Sequence, residues 1–408
     1  MQIALKRVYK LKDVIDDIHS GGTPSTKQSE YWGGNLKWLS SGETSNSFIY
    51  ETVEKITESG VKNSSTKLAK KNDVVLACAG QGKTRGQVSY LEDDMYINQS
   101  VIALTANKSI LDSLYLFYNL KNRYKELRGG SDSSSTRGSI TTTSLKNLYI
   151  ELPPLSVQQK IVSVLHSYDK LIQNHKKQIE NLQNLASELY KEWFVRFRFP
   201  GHEKTSFENG IPAGWKYVKI STAYNSSSGG TPSRQCLEYY ENGIYPWIKT
   251  GELKDSLILE SEEYITESAI QNSSAKLFEK DSLIIAMYGA TIGQIGINKM
   301  QATCNQACCV LRPKDNVPCG IYYLYMFFLF NRNYLISLGS GAAQQNLSQV
   351  VINKLNFLLP KTEVIEQFEK LEKSIFDRMC VFQKKISVIS KQRDLLLPRL
   401  MSGELEVK

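Results

Sequence analysis

The sequence predicts an α+β protein built as a tandem duplication. Each copy is a mixed α/β globule followed by a long helix, and the two helices pair as a coiled coil. Three observations carry this. First, apolar residues recur in steps of three and four through Ile161, Val164, Tyr168, Ile172, His175, Ile179, Leu182, Ala186 and Leu189, the spacing of one helical face. A second series runs through Val364, Phe368, Leu371, Ile375, Met379, Phe382, Ile386, Ile389, Arg393 and Leu396. Second, both series take consecutive four-residue steps at matching places, ending at Ile172 and at Met379, as if two paired helices slipped register together. Third, whole segments recur. SGGTPS starts at Ser20 and Ser228, WLSSGE at Trp38 answers WIKTGE at Trp247, and LPPLSV at Leu152 answers LPKTEV at Leu359, a displacement of 207 to 209 residues. Two copies of this length are a duplication and not a solenoid.

Taken in order, residues 1–18 read as a strand and a short amphipathic segment leading into SGGTPS. Tyr31 to Glu43 reads as a strand and turn. The apolar runs Asp73 to Ala79 and Asn98 to Thr105 are buried strands. Ile110 to Leu127 has a helical period, Gly129 to Thr143 is a Ser/Thr/Gly loop, and Leu145 to Leu152 is a strand closed by Pro153-Pro154. About forty residues at 1.5 Å each then give a helix of ~60 Å. Phe199 to Trp215, with Pro200, Gly201, Gly210, Pro212 and Gly214, reads as the linker to the second copy.

Composition narrows the class. With 408 residues, 41% hydrophobic and 22% charged, the chain supports two cores and nothing in it reads as disordered. Met1 to Lys12 alternates charge with apolar residues, so no secretory leader is expected, and the longest apolar run, Ile321 to Phe330, is half of what a membrane span needs. A cytoplasmic protein is expected. Seven unpatterned cysteines fit a reducing compartment, and Cys304 to Cys319 reads as buried thiols because paired CxxC spacing is missing. The net charge of +9 is uneven: residues 1–150 hold 20 Lys and Arg against 15 Asp and Glu, whereas residues 201–357 hold 13 of each. This permits nucleic-acid binding with modest phosphate neutralisation.

Catalytic chemistry is hard to find. Gly80-Gln81-Gly82-Lys83-Thr84 ends like a phosphate loop, but the first glycine of that motif would fall on Ala77 and the second copy has no lysine there. A turn between strands is expected instead. None of the four histidines, His19, His166, His175 and His202, has a nucleophile or carboxylate partner that recurs in the second copy. No catalytic residue and no metal site is expected.

The positive signals are polar loops in duplicate. SGGTPS, with Thr23, Ser25 and nearby Lys27, then Thr231, Ser233 and Arg234, presents hydroxyls and backbone N–H groups to an anion or serves as a structural turn; the sequence favours neither. Lys83, Thr84, Arg85 and Gln87 offer donors for phosphates and base edges, and their counterparts include Tyr288, Thr291 and Gln294. A third pair sets Arg128 and Arg137 against Gln344, Gln345 and Asn346. Lys249, in the second Trp block, completes the candidates.

These blocks, with LYKEWFVRFRFPG from Leu189, IPAGWK from Ile211 and LLLPRLMSGEL from Leu395, resemble the specificity subunit of type I DNA restriction-modification systems. They span essentially the whole chain, so the resemblance implies a full-length subunit. It implies target recognition domains at 1–152 and 200–358, and spacer helix regions at 153–199 and 359–408 that pair antiparallel. It also implies that each domain reads one half of a split double-stranded DNA target through the candidates above. Ile161, Val164, Tyr168, Ile172, Ile179, Leu182, Leu189, Phe368, Leu371, Ile375, Met379, Phe382, Ile386, Ile389 and Leu396 would pack the helices or partners. The helices would set the gap and dock methyltransferase subunits, two in number, with motor-nuclease subunits joining. S-adenosylmethionine, ATP and magnesium would belong to those partners, and no membrane is involved. A protein scaffold that does not read sequence is the competing class, separated by whether DNA protection depends on sequence and on the polar loops. A nucleotide hydrolase resting on Lys83 and Thr84 would require turnover by the purified chain.

Overall fold

The computed structural model describes residues 6–80, 82–132, 138–315, 317, 319–338 and 346–407. The chain forms two compact units. One comprises the residues up to Ile172 together with those from Val388 onward, the other Gln173–Ser387.

In the first unit the central sheet has five strands in the order Ile15–Ser20, Val101–Ala106, Val74–Ala77, Val88–Leu91 and Phe48–Ile49. Side chains alternate across a strand, and here both faces are covered. Val74, Leu76, Ile102 and Leu104 pack with Tyr115 and Leu116 of the helix Ser113–Asn122. Val75, Val101 and Ala103 pack with Leu39, Met95 and Ile97 of a second sheet, ordered Glu54–Ile56, Trp32–Leu39, Met95–Ile97 and Lys67–Ala69. Two buried faces explain why these strands read as unbroken apolar runs. Arg7–Lys10 pairs with Tyr149–Leu152.

The second unit repeats the plan with Tyr224–Ser228, Cys308–Pro313, Leu283–Ala286, Ile295–Asn298 and Ser256–Ile258. In both units the last-named pair is parallel and the first-named pair antiparallel. Cys308 and Cys309 are neighbours on one strand, so Cys309 faces the Leu283 and Ile285 side and Cys308 the Ile284 and Ala286 side. They are core residues on opposite faces. The helix Ile321–Phe330 is buried over most of its surface, and among the described residues no helix is long and apolar enough to cross a membrane.

The long helices run Leu155–Tyr190, continuing in a π turn Lys191–Val195, and Thr362–Ser402. At 1.5 Å per residue they measure about 54 and 62 Å. They pair antiparallel. In the second unit His175 stacks on Phe382 at 5.1 Å while Tyr190 meets Phe368 at 6.4 Å. In the first, Asp169 bonds Arg393 and Ile161 and Leu165 pack with Leu397 and Leu400.

Four expectations change. The register slip is not shared: in the second helix the buried series keeps alternating steps, Phe368, Glu372, Ile375 and Met379, whereas in the first the buried residues Ile161, Leu165, Asp169 and Ile172 still take two consecutive four-residue steps. Leu371 is 45% exposed and Glu372 0%; a carboxylate in the seam hid the register. Leu145 lies in a short helix, Thr142–Lys146, because Thr141 and Ser144 cap each other's backbone N–H groups; the strand begins at Tyr149. The helix Tyr124–Asp132 extends into the segment read as a loop. The segment read as a linker carries the hairpin Phe207–Glu208 with Ile211–Pro212, and buried Phe199 and Trp215 set their rings 5.0 Å apart.

Candidate nucleic-acid interface

Strand register gathers the polar loops at one edge of each central sheet. In the first unit Ser20 lies opposite Ile102, and Val101 opposite Ala77, so one strand begins there and its two neighbours end there. From this edge leave the SGGTPS loop, the turn 98–100 and the hairpin tip 78–87. Cys78 N donates to Ser100 O at 2.9 Å and Ile140 N to Cys78 O at 2.9 Å, which adds the segment after Gly138. The second unit does the same through Ser228 opposite Cys309 and Cys308 opposite Ala286. Its matching bonds are Met287 N to Ala307 O at 2.8 Å and Leu347 N to Met287 O at 2.7 Å.

The repeated motifs build this edge from within. A Cβ on Gly21 would lie 1.8 Å from Ile97 O, and one on Gly229 2.2 Å from Cys304 O, so only glycine lets the loop settle on the next strand end. Trp38 Nε1 donates to Gly22 O at 3.2 Å and Trp247 Nε1 to Gly230 O at 3.0 Å. Thr23 bonds Gln99 and Thr231 bonds Gln306. The glutamates of the Trp blocks brace backbone as well: Glu43 accepts from Ser40 N and Val53 N at 3.1 and 2.9 Å, Glu252 from Lys249 N and Glu262 N at 2.9 and 3.0 Å. The structural turn thus accounts for the glycines, while Ser25, Lys27, Ser233 and Arg234 are exposed beyond it. Arg234 lies 4.3 Å from the Tyr240 ring and 5.0 Å from the Trp247 ring and pairs with Glu263 at 2.7 Å. Lys249 reaches Glu263 at 2.8 Å and Glu262 at 3.3 Å. The Glu263 carboxylate, more than any other group, holds this ammonium above its ordinary range.

Both hairpin tips close by one pattern. In the first unit Ala77 N bonds Gln87 O, Gly86 N bonds Ala77 O and Gln87 N bonds Thr84 O; in the second Ala286, Gly293 and Gln294 repeat these bonds to Gln294, Ala286 and Thr291. Lys83 is exposed and Thr84 half-buried. Arg85, expected as a DNA contact, is 9% exposed and donates from Nη1 to Gly138 O at 2.7 Å, so it fastens the tip to the neighbouring segment. Its position is the inward-facing one, filled in the second tip by half-buried Ile292. Gln87 is half-buried and accepts from the Thr44 hydroxyl at 3.4 Å. Tyr124 OH donates to Lys83 O at 3.0 Å and takes a hydrogen bond from Arg128 at 2.9 Å. In the second unit Tyr288 bridges to Asn346, and Thr291 and Gln294 are half-buried. Arg137, Gln344 and Gln345 lie outside the described residues.

Sequence reasoning missed Gln99 and Gln306, although the Asn-Gln pair stands in both copies and was a usable signal. It also missed Tyr124, Asp255 and Arg332, which bear on the tips and carry no motif. Among the described residues no three His, Cys, Asp or Glu side chains cluster as metal ligands. Burial pushes the Cys309 thiol up to about 12, which keeps it protonated and inert.

Comparison with known proteins agrees with this architecture. The type I restriction modification DNA specificity domain family matches residues 5–184 and 212–397. The MjaIX specificity subunit, from a type I restriction enzyme of Methanocaldococcus jannaschii, is 30% identical, over 98% of this chain and 94% of the relative. The HindI specificity subunit of Haemophilus influenzae is 22% identical, over 91% and 94%. The crystal structure of the type I S subunit from M. genitalium has a TM-score of 0.61 at 15% identity, covering 97% of this chain and 96% of that one, a likeness of fold.

Proposed function

Because the chain belongs to the type I restriction-modification DNA specificity family, we propose that each of its units reads one half of a bipartite, asymmetric double-stranded DNA target. The chain is a specificity component and not an enzyme. The observation that carries the two-reader proposal is a shared frame with unlike side chains. Both units fold the same loop cluster at the same sheet edge, yet exposed Lys83 stands where exposed Ala290 stands in the second tip. Base pairs are told apart in the major groove by their donor and acceptor patterns. A common backbone with different donors is therefore what two unlike half-targets require.

Exposed Ser25, Lys27 and Lys83 serve the first half, and Ser233, Arg234, Tyr288 and Asn346 the second. Arg234 would exchange Glu263 for a phosphate or base. The long helices act as a spacer that sets the half-sites about one DNA turn apart, roughly 34 to 36 Å. They also dock two methyltransferase subunits, which hold S-adenosylmethionine and extrude the target adenine, and motor-nuclease subunits using ATP and magnesium complete the complex.

The test is to express the chain with its methylation partner in a methylation-free bacterial host and map modified adenines across the genome. A split motif with a fixed gap, lost on deleting this chain, is the expected result. Methylation that is unsplit, or independent of the chain while the proteins still associate, would leave a scaffold in place of a reader.

A further inference from the structure

The second hairpin tip is tied down by one ion pair that no motif announces. Arg332 opens the helix Arg332–Leu338. Its Nε donates to Gly293 O, within the tip, at 3.1 Å. Its Nη1 and Nη2 grip Asp255 Oδ2 and Oδ1 at 2.7 and 2.5 Å, the planar two-bonded geometry that lysine cannot copy. Asp255 is in turn fixed at every polar atom. It holds a left-handed backbone (φ 53°), its N–H donates to Ile295 O at 2.9 Å, and its carbonyl accepts from Tyr325 OH at 2.6 Å. Its Oδ1 also accepts from Ile295 N at 3.1 Å. A Cβ on Gly293 would meet Ile336 at 3.3 Å, so the tip rests directly on the helix that carries Arg332.

The first unit shows what this pair is not needed for. There Asn46 stands in the place of Asp255, and Arg123, the counterpart of Arg332, turns to Glu126 at 2.7 and 2.6 Å and to Tyr149 O at 2.7 Å. The same hairpin closes with the same three backbone bonds, held instead by Tyr124 at Lys83 O and Arg85 at Gly138 O. Forming the tip does not require the Asp255–Arg332 pair; fixing where the second tip lies does.

We infer that Asp255 and Arg332 are positioning residues for the second tip, and so determine how strictly the second unit's half-target is read. This rests on the two-reader proposal. Recognition geometry must hold within about 0.5 Å, and a tip released from Gly293 O loses base discrimination before it loses its fold.

The experiment maps methylated adenines for the full chain with its methylation partner, comparing wild type with Arg332→Lys, Asp255→Asn and, in the first unit, Tyr124→Phe. Arg332→Lys and Asp255→Asn are expected to keep one half-site and the gap. Wrong bases at the other half should rise about tenfold, and Tyr124→Phe should relax the opposite half. If Asp255→Asn fails to accumulate, Arg332→Lys, which keeps the charge, decides alone. Unchanged discrimination overturns the inference, as does methylation lowered equally at all sites with the motif intact. A wild-type complex with no split motif overturns the two-reader proposal and this inference with it.

Discussion

Replacing Glu372 by leucine should stabilise the second unit, and far more in mild alkali than in acid. Glu372 is 0% exposed, and neither of its carboxylate oxygens has a hydrogen-bond partner among the described residues. Burial, reinforced by the charge of Glu369, pushes its carboxyl from 4.5 up to about 8. Glu369 is pushed up to about 7 by burial against the pull of backbone N–H groups; it accepts from Tyr323 N at 2.7 Å and Tyr322 N at 3.4 Å, and so has partners that Glu372 lacks. Between pH 4.5 and 8 the folded Glu372 keeps a proton that the unfolded chain releases, so stability falls as pH rises through that window. At 1.36 kcal/mol per pH unit, full ionisation costs the folded state ~5 kcal/mol, and almost none of this is felt below pH 4.5. Leucine removes the cost, and Leu165 already fills the corresponding seam position in the first unit, fully buried. The assay is urea unfolding of the full chain at pH 5 and pH 8.5, with hydrogen exchange at Tyr322 to Phe328 reporting on the second unit. A Glu372→Leu protein whose stability depends on pH as steeply as wild type would refute the reasoning.

The seam of the first unit holds the opposite case: Asp169, 2% exposed, bonds Arg393 and the Tyr118 hydroxyl, so Asp169→Ala leaves half-buried Arg393 with Asp394 alone among the described residues and the buried Tyr118 hydroxyl without this acceptor, and should cost ~1–3 kcal/mol in denaturant unfolding. Gly21→Ala would force a Cβ to 1.8 Å from Ile97 O; backbone must move, and a drop in first-unit stability of more than ~3 kcal/mol is expected by hydrogen exchange. Lys83→Ala, at an exposed tip position, should relax base preference at the first half-target, at a cost of ~1–3 kcal/mol, and leave the second half-target read as before, again by methylation mapping. Inserting four residues into each long helix adds ~6 Å and should lengthen the unspecified gap by about two base pairs at 3.4 Å each, read by the same methylation mapping.

What the sequence made legible follows from what duplication preserves. SGGTPS, the Trp blocks and the apolar strand runs recur because two copies must solve one packing problem: glycines pressed on Ile97 O and Cys304 O, indoles bonded to Gly22 O and Gly230 O, sheets buried on both faces. Those constraints are local and steric, so they leave motifs, and the duplicated α+β plan could be read from them. The helix seam is misread at Val164, where Leu165 is the buried residue, and at Tyr168 and Leu371, because a charged residue in an apolar stripe is taken for surface, whereas Asp169 and Glu372 are buried. Site residues were less legible for a related reason. Arg85 looked like a free donor in a polar loop until Gly138 O was found beside it, more than fifty residues on. Asp255 and Arg332 are farther apart still, and no spacing joins them. A side chain that fastens a loop and one that reads a base have the same chemistry, and only a distant partner tells them apart. The repeats therefore mark the frame, and on the two-reader proposal the residues that would distinguish one target from another belong to the positions where the copies differ, Lys83 against Ala290 and Asn46 against Asp255. By this logic, exchanging the tip and its fastening residues together should transfer a half-specificity, and exchanging the tip alone should blur it.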